Sequence, residues 1–168
     1  FSTGQEVAES ARVRFSGGVL IPRDQHWHES VAETRAALLN ADCDVVYQGA
    51  FERDGVRIRA EILQRIEGQR WQILEVKSTV RPRASHYDDL ALQCWVISAS
   101  DDIILEQMSV VTLNRDYSFD GTRIDYSQLL RVHDATELLP ERIEKISRLT
   151  SELIHVIENS IPPSVKPG

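Results

Sequence analysis

The sequence predicts an α/β chain of the mixed α+β kind, with a central mixed sheet of four to five strands flanked by helices. Three observations carry this expectation. Asp44 to Ser78 holds three apolar, strand-like runs separated by Asp54-Gly55 and Gly68, residues suited to the turns of a meander. A helical run, His86 to Ile97, separates the third strand from a β-branched segment, Ile103 to Asn114, so that segment returns parallel through a crossover. Apolar residues at helical spacing occupy both ends of the chain, where helices can cover a sheet.

In chain order, Val7, Ala8, Ala11 and Phe15 mark a first helix from Gly4, stopped by Gly17-Gly18. Val19 to Pro22 leads into a loop, Asp24 to His28. His26 and His28 form a His-x-His pair, but no further His or Cys stands nearby at ligand spacing, so zinc is not expected there. A second helix, His28 to Leu39, turns Val31, Ala32, Leu38 and Leu39 inward. The three strands of the meander are Asp44 to Phe51, Val56 to Ile66 and Trp71 to Ser78. Beyond Asn114, Asp120-Gly121 is a turn, and Leu129 to Val132 is too short to assign. Asp134 to Glu137 has the pattern of a capping box at a helix start. From Pro140 a long amphipathic helix carries Ile143, Ile146, Leu149, Leu153, Val156 and Ile157, to lie over a sheet face or dock on a partner. It stops at Ile161-Pro162-Pro163, and residues 159–168 are expected to fray.

The 168 residues suit a single domain with a sizeable core. No apolar run approaches the length of a membrane span, and Cys43 and Cys94 stand far apart, which suits a cytoplasmic chain with reduced thiols. A start at Phe1 without methionine fits a segment of something longer. The net charge of -7 argues against a general polyanion binder. Its distribution softens that: Ala50 to Arg83 holds eight Arg/Lys against five Asp/Glu, whereas after Ser100 twelve acidic residues face seven basic ones.

The chemistry centres on Glu75-Val76-Lys77. Side chains two apart on a strand share a face, so Glu75 and Lys77 converge. A hairpin about Gly68 brings Glu61 across from them. Two carboxylates and a lysine at one sheet edge can hold a hard divalent cation and activate water beside it. On the following helix His86, Asp89 and Gln93 share a stripe at i, i+3 and i+7, while Arg81 and Arg83 lie in the loop just after the strand. Gln48 of the first strand can line the same site. Each has a plainer alternative: a polar helix stripe for His86, Asp89 and Gln93, a solvated loop for the arginines, a cross-strand polar pair for Gln48.

This pattern resembles the PD-(D/E)XK nuclease superfamily and, through its later glutamine helix, the RecB-like branch. It is similar to bacterial domains of uncharacterised role that read EVKSST…H…DxAxQ, over most of the chain from Gly4 to Tyr117. The resemblance implies a restriction-endonuclease-like core and a Mg²⁺- or Mn²⁺-dependent nuclease cleaving phosphodiester bonds, with DNA and exonuclease action expected. It implies that Glu61, Glu75 and the Val76 carbonyl ligate the metal, with Glu6 of the first helix a further ligand. Glu6 also reads as an ordinary first-turn glutamate favoured by the helix dipole. Lys77 would orient or deprotonate water or stabilise the phosphate, its pKa depressed by desolvation and the metal's field. Gln93 would act beside it, and Arg81, Arg83, His86 and Asp89 would contact substrate. Relatives often carry Glu where this chain has Gln48, and Glu61 stands where Asp is commoner. An iron–sulfur cluster held by four cysteines, as in some relatives, is beyond two. A silent nuclease fold serving as a nucleic-acid- or protein-binding module is the alternative function, and an unrelated fold with a Glu75–Lys77 surface pair is a third. A homodimer or a fused DNA-binding domain would supply the basic charge this chain lacks.

Overall fold

A computed structural model of the chain describes residues 3–160. Its first helix, α1 (Gly4–Arg14), begins at a capping box in which Thr3 Oγ1 accepts from the Glu6 amide at 3.3 Å and Glu6 Oε2 accepts from the Thr3 amide at 3.1 Å. There follow β1 (Val19–Leu20), α2 (Trp27–Leu39), β2 (Val45–Arg53), β3 (Val56–Glu67) and β4 (Arg70–Val76). The second half holds α3 (Ala84–Ile97), β5 (Ile104–Leu113), α4 (Tyr126–Leu129), β6 (Leu130–Asp134) and α5 (Pro140–Asn159). The expected stop at Ile161-Pro162-Pro163 and the tail after it lie outside the described residues.

All six strands join one mixed sheet in sequence order, with β1–β2 and β4–β5 parallel and the other pairs antiparallel. The sheet therefore has six strands rather than four to five. Both additions are edges. Val19 and Leu20 make a two-residue strand whose side chains stay exposed, so it leaves no alternation to detect. The run Leu130–Asp134 mixes Arg131, Val132 and His133, and it becomes a strand only by pairing with β5 from Ser109↔Asp134 to Leu113↔Leu130.

Helices cover both faces. Val46, Leu63, Ile73 and Val110 join Leu38 of α2 and Leu90, Ala91 and Ile97 of α3. Val45, Tyr47, Ile62, Leu74 and Val111 join Val7 and Ala11 of α1 and Leu129 of α4. Double coverage explains why adjacent residues, such as Ile62-Leu63 and Ile73-Leu74, are both apolar. The β2–β3 turn is the tight hairpin expected, with Asp54 at φ 51 and Gly55 at φ 79. Gly18 is needed for a different reason. A Cβ there would stand 2.6 Å from the Tyr47 ring and 2.8 Å from the Val45 carbonyl, so only glycine lets the chain leave α1 against β2.

Asp134 does not cap α5. Its Oδ1 accepts from the Thr136 amide at 2.9 Å and hydroxyl at 2.7 Å, closing a 3₁₀ turn over Thr136–Leu138, and α5 starts afterwards at Pro140. Ile143 and Ile146, partly buried, pack against the core, and Arg142 pairs with Asp88 of α3. Beyond them Leu149, Leu153, Val156 and Ile157 are exposed. Among the described residues no helix is long and apolar enough to cross a membrane.

Candidate functional site

The β3–β4 register runs Leu63↔Ile73, Ile62↔Leu74, and one further step brings Glu61 beside Glu75. Past Val76 the chain stays extended for one residue, because the Lys77 amide donates to the Val111 carbonyl of β5 at 2.9 Å. Lys77 thus remains on the Glu75 side of the chain. The chain then turns into α3, which returns Asp89 and Gln93 to the same place. Lys77 Nζ bridges Glu75 Oε1 at 2.9 Å and Asp89 Oδ2 at 2.8 Å. Gln93 Nε2 donates to Glu75 Oε2 at 2.9 Å.

Burial sets the electrostatics. The Glu75 side chain is 12% exposed and that of Lys77 22%. Burial pushes the Glu75 carboxyl above the ordinary range; the Gln93 hydrogen bond and Lys77 pull it down, and the nearby Glu61 charge pushes it up again. Burial alone would lower the Lys77 ammonium. The Asp89 hydrogen bond and the Glu75 charge outweigh it, so Lys77 is raised instead of depressed as the sequence suggested. Within these contacts Lys77 is a held cation. Below it the Cys94 thiol is pushed up to about 12 by burial and remains protonated.

Glu61 is held from the other side. Gln48 of β2 donates from Nε2 to Glu61 Oε2 at 2.6 Å, and Arg23 donates from Nε to Gln48 Oε1 at 2.9 Å. Gln48 adopts φ 58 between the paired residues Tyr47↔Ile62 and Gly49↔Ala60, a costly backbone for a residue with a side chain. The cross-strand pair and the site-lining role expected of Gln48 are therefore one contact. Arg12 of α1 approaches Glu61 Oε1 at 3.5 Å. These groups line a cleft of about 480 Å³ between α1 and the sheet, with Gln5 and Glu9 on its α1 wall.

The other expected residues are placed differently. Glu6 turns back on the Thr3 amide, and Glu9 is the α1 carboxylate that lines the cleft. His86 is buried and accepts from the Arg83 amide at Nδ1, 3.2 Å away, fastening the start of α3. Burial, then Lys77 and Arg83, lower its pKa and favour a neutral ring. Arg81 and Arg83 are exposed beside the site. Arg12, Arg23 and Glu9 were not singled out from sequence, although Gln5, Ala8, Glu9 and Arg12 share one helical stripe.

Among the described residues no group of three or more His, Cys, Asp or Glu is placed to hold a metal ion, so a three-carboxylate centre including Glu6 is not assembled. A two-carboxylate centre fits better. Oε1 of Glu61 and Oε1 of Gln93 are buried acceptors without a hydrogen bond, on either side of Glu75. Hard cations take such oxygens, with a backbone carbonyl as a common supplement. Comparison with protein-family models, with curated proteins and with solved structures finds no match for this chain.

Proposed function

We propose that the chain is a divalent-metal-dependent nuclease hydrolysing phosphodiester bonds, with DNA as substrate and an exonuclease-like mode, built on a restriction-endonuclease-like core. One observation supports this above the others: Glu75 on β4 is joined at once by Lys77, by Gln93 of the crossover helix and by the field of Glu61 on the neighbouring strand. The order of antiparallel β2-β3-β4, crossover α3 and parallel β5 agrees with that core. Two free, buried cysteines suit a cytoplasmic setting.

Glu61, Glu75 and the Val76 carbonyl would hold Mg²⁺ or Mn²⁺, which when bound supplies charge neutralisation and a more acidic water. The chain's own contribution is positional. Gln93 orients Glu75 through its amide. Lys77, held cationic by Asp89 and Glu75, stabilises negative charge on the phosphate better than it accepts a proton. Asp89 is a positioning residue, since it touches Lys77 and is itself 55% exposed. Arg81 and Arg83 grip backbone phosphates from the loop.

Each carboxylate already has a cation, Arg12 for Glu61 and Lys77 for Glu75. This internal neutralisation favours the second reading, a silent nuclease fold that binds nucleic acid or protein. Incubation of labelled single- and double-stranded DNA with Mg²⁺, Mn²⁺ or EDTA separates the two. The nuclease cleaves only with metal and loses cleavage in both Glu75→Ala and Lys77→Ala; absence of cleavage in every condition leaves the binding module.

A further inference from the structure

The cleft between α1 and the sheet holds two arginines on separate elements, and neither is fully used. Arg12 Nε is buried with no hydrogen-bond partner, and the Arg12 guanidinium meets Glu61 only at 3.5 Å while resting over the Tyr47 ring at 5.8 Å. Arg23 spends Nε and Nη2 on the Gln48 carboxamide, which leaves Nη1. The wall between them is Gln48, whose left-handed backbone is strained at the point where it faces the cleft. Strain of that kind persists where surrounding contacts enforce it, and it concentrates at binding sites. Gln5 donates to Glu9 at 3.0 Å, so the α1 wall carries a fixed polar rim.

We infer that this cleft is a terminal-phosphate pocket. It takes the phosphate monoester of one end nucleotide, with Arg12 and Arg23 as its two anchors. The volume of about 480 Å³ lies in the range of small-molecule sites and suits one nucleotide rather than a duplex. Two guanidinium groups match a dianionic monoester, because each offers a planar fork of donors to phosphate oxygens. Arg12 and Arg23 are offset by Glu9 and Glu61, so the cleft has no net charge to attract a polyanion at large. Recognition must come from directed hydrogen bonds to a single group. Glu61 shares the cleft, with Oε2 taken by the Gln48 amide and Oε1 3.5 Å from Arg12, so the phosphate competes with it for Arg12 and is held on its other side by Arg23. The pocket deepens the nuclease reading by naming an end-recognising subsite beside it, although binding there needs neither metal nor cleavage.

The test is anisotropy of an oligothymidylate labelled at one end and bearing a 5′-phosphate, a 3′-phosphate or only hydroxyls at the ends, in EDTA. One phosphorylated end is expected to bind at least about tenfold tighter than the hydroxyl form, and inorganic phosphate is expected to compete. The preference should disappear in Arg12→Ala and in Arg23→Ala. Arg23 is exposed but holds the buried Gln48, so thermal melting of both variants establishes that each is folded before binding is compared. The logarithmic salt slope of the preferred phosphorylated form should exceed that of the hydroxyl form by about 0.7–1.4 in magnitude, the share of the one terminal group, whatever the length of the strand. Preference for the 5′ or the 3′ end assigns the polarity. Equal binding of all three oligonucleotides, or a phosphate preference that survives both arginine variants, overturns the inference. Failure of cleavage with metal, alongside intact phosphate preference, removes the nuclease reading and leaves the pocket.

Discussion

Replacing Lys77 by Met takes a cation away from Glu75 while keeping an unbranched side chain of similar length. Glu75, with 12% of its side chain exposed, then holds only the Gln93 bond of the two contacts that pull its pKa down. Loss of a charged partner from a buried acceptor costs about 1–3 kcal/mol, and a fully buried ion pair would cost about 3–5. Lys77 is 22% exposed, so the lower range applies, about 2 kcal/mol. In a domain of this size that is a fall of about 4–8 °C in Tm. The loss must depend on pH with a definite sign. A carboxyl with a raised folded pKa contributes stability that is fully present below its unfolded pKa and is lost as pH rises through the folded value. Burial already raises Glu75, and removing Lys77 raises it further. The penalty should therefore approach its full size at a pH well above the ordinary carboxylate range and be smaller at a second, more acidic pH, where Glu75 takes a proton. Urea unfolding of both proteins in EDTA at the two pH values reads this directly. An equal loss at both, or a loss below about 0.5 kcal/mol at the higher pH, would refute the buried pair.

Gln93→Leu should cost about 1–3 kcal/mol by stripping the donor from Glu75 Oε2, measured by the same urea unfolding. Gly18→Ala should lower stability by about 1–3 kcal/mol in thermal unfolding, because the new methyl meets the Tyr47 ring and the Val45 carbonyl, neither of which can retreat. Leu90→Ala, in the centre of the core beneath α3, should cost about 2–5 kcal/mol in denaturant unfolding. Leu153→Ala on the exposed end of α5 should stay within about 0.5 kcal/mol by the same measurement.

The meander was legible because its signals are local. Asp54-Gly55 and Gly68 sit at φ values that favour glycine, and the paired apolar residues of β3 and β4 show a sheet covered on both faces. The parallel return of β5 followed from the length of α3. The edges were not legible: Val19-Leu20 is defined by two pairings with β2, and Leu130–Asp134 by its pairing with β5. Asp134 misled for a similar reason, since its side chain satisfies a local turn as readily as a helix start. In the site, strand parity and helix stripe sufficed for Glu75, Lys77, Asp89 and Gln93. The Glu61 environment depended on long-range packing that brings Arg12 and Arg23 together, and on the unusual backbone of Gln48, which no sequence pattern marks. The raised pKa of Lys77 likewise depends on how closely Asp89 approaches from α3.

The most direct measurement is calorimetric titration of the chain with Mn²⁺, beside Glu61→Gln and Glu75→Gln, each checked for folding by thermal melting. Joint ligation by the two carboxylates requires one site in the wild type, its affinity falling at least about tenfold in each variant. Absence of a Mn²⁺ site in the wild type, or a site indifferent to both substitutions, would contradict a shared cation centre at Glu61 and Glu75.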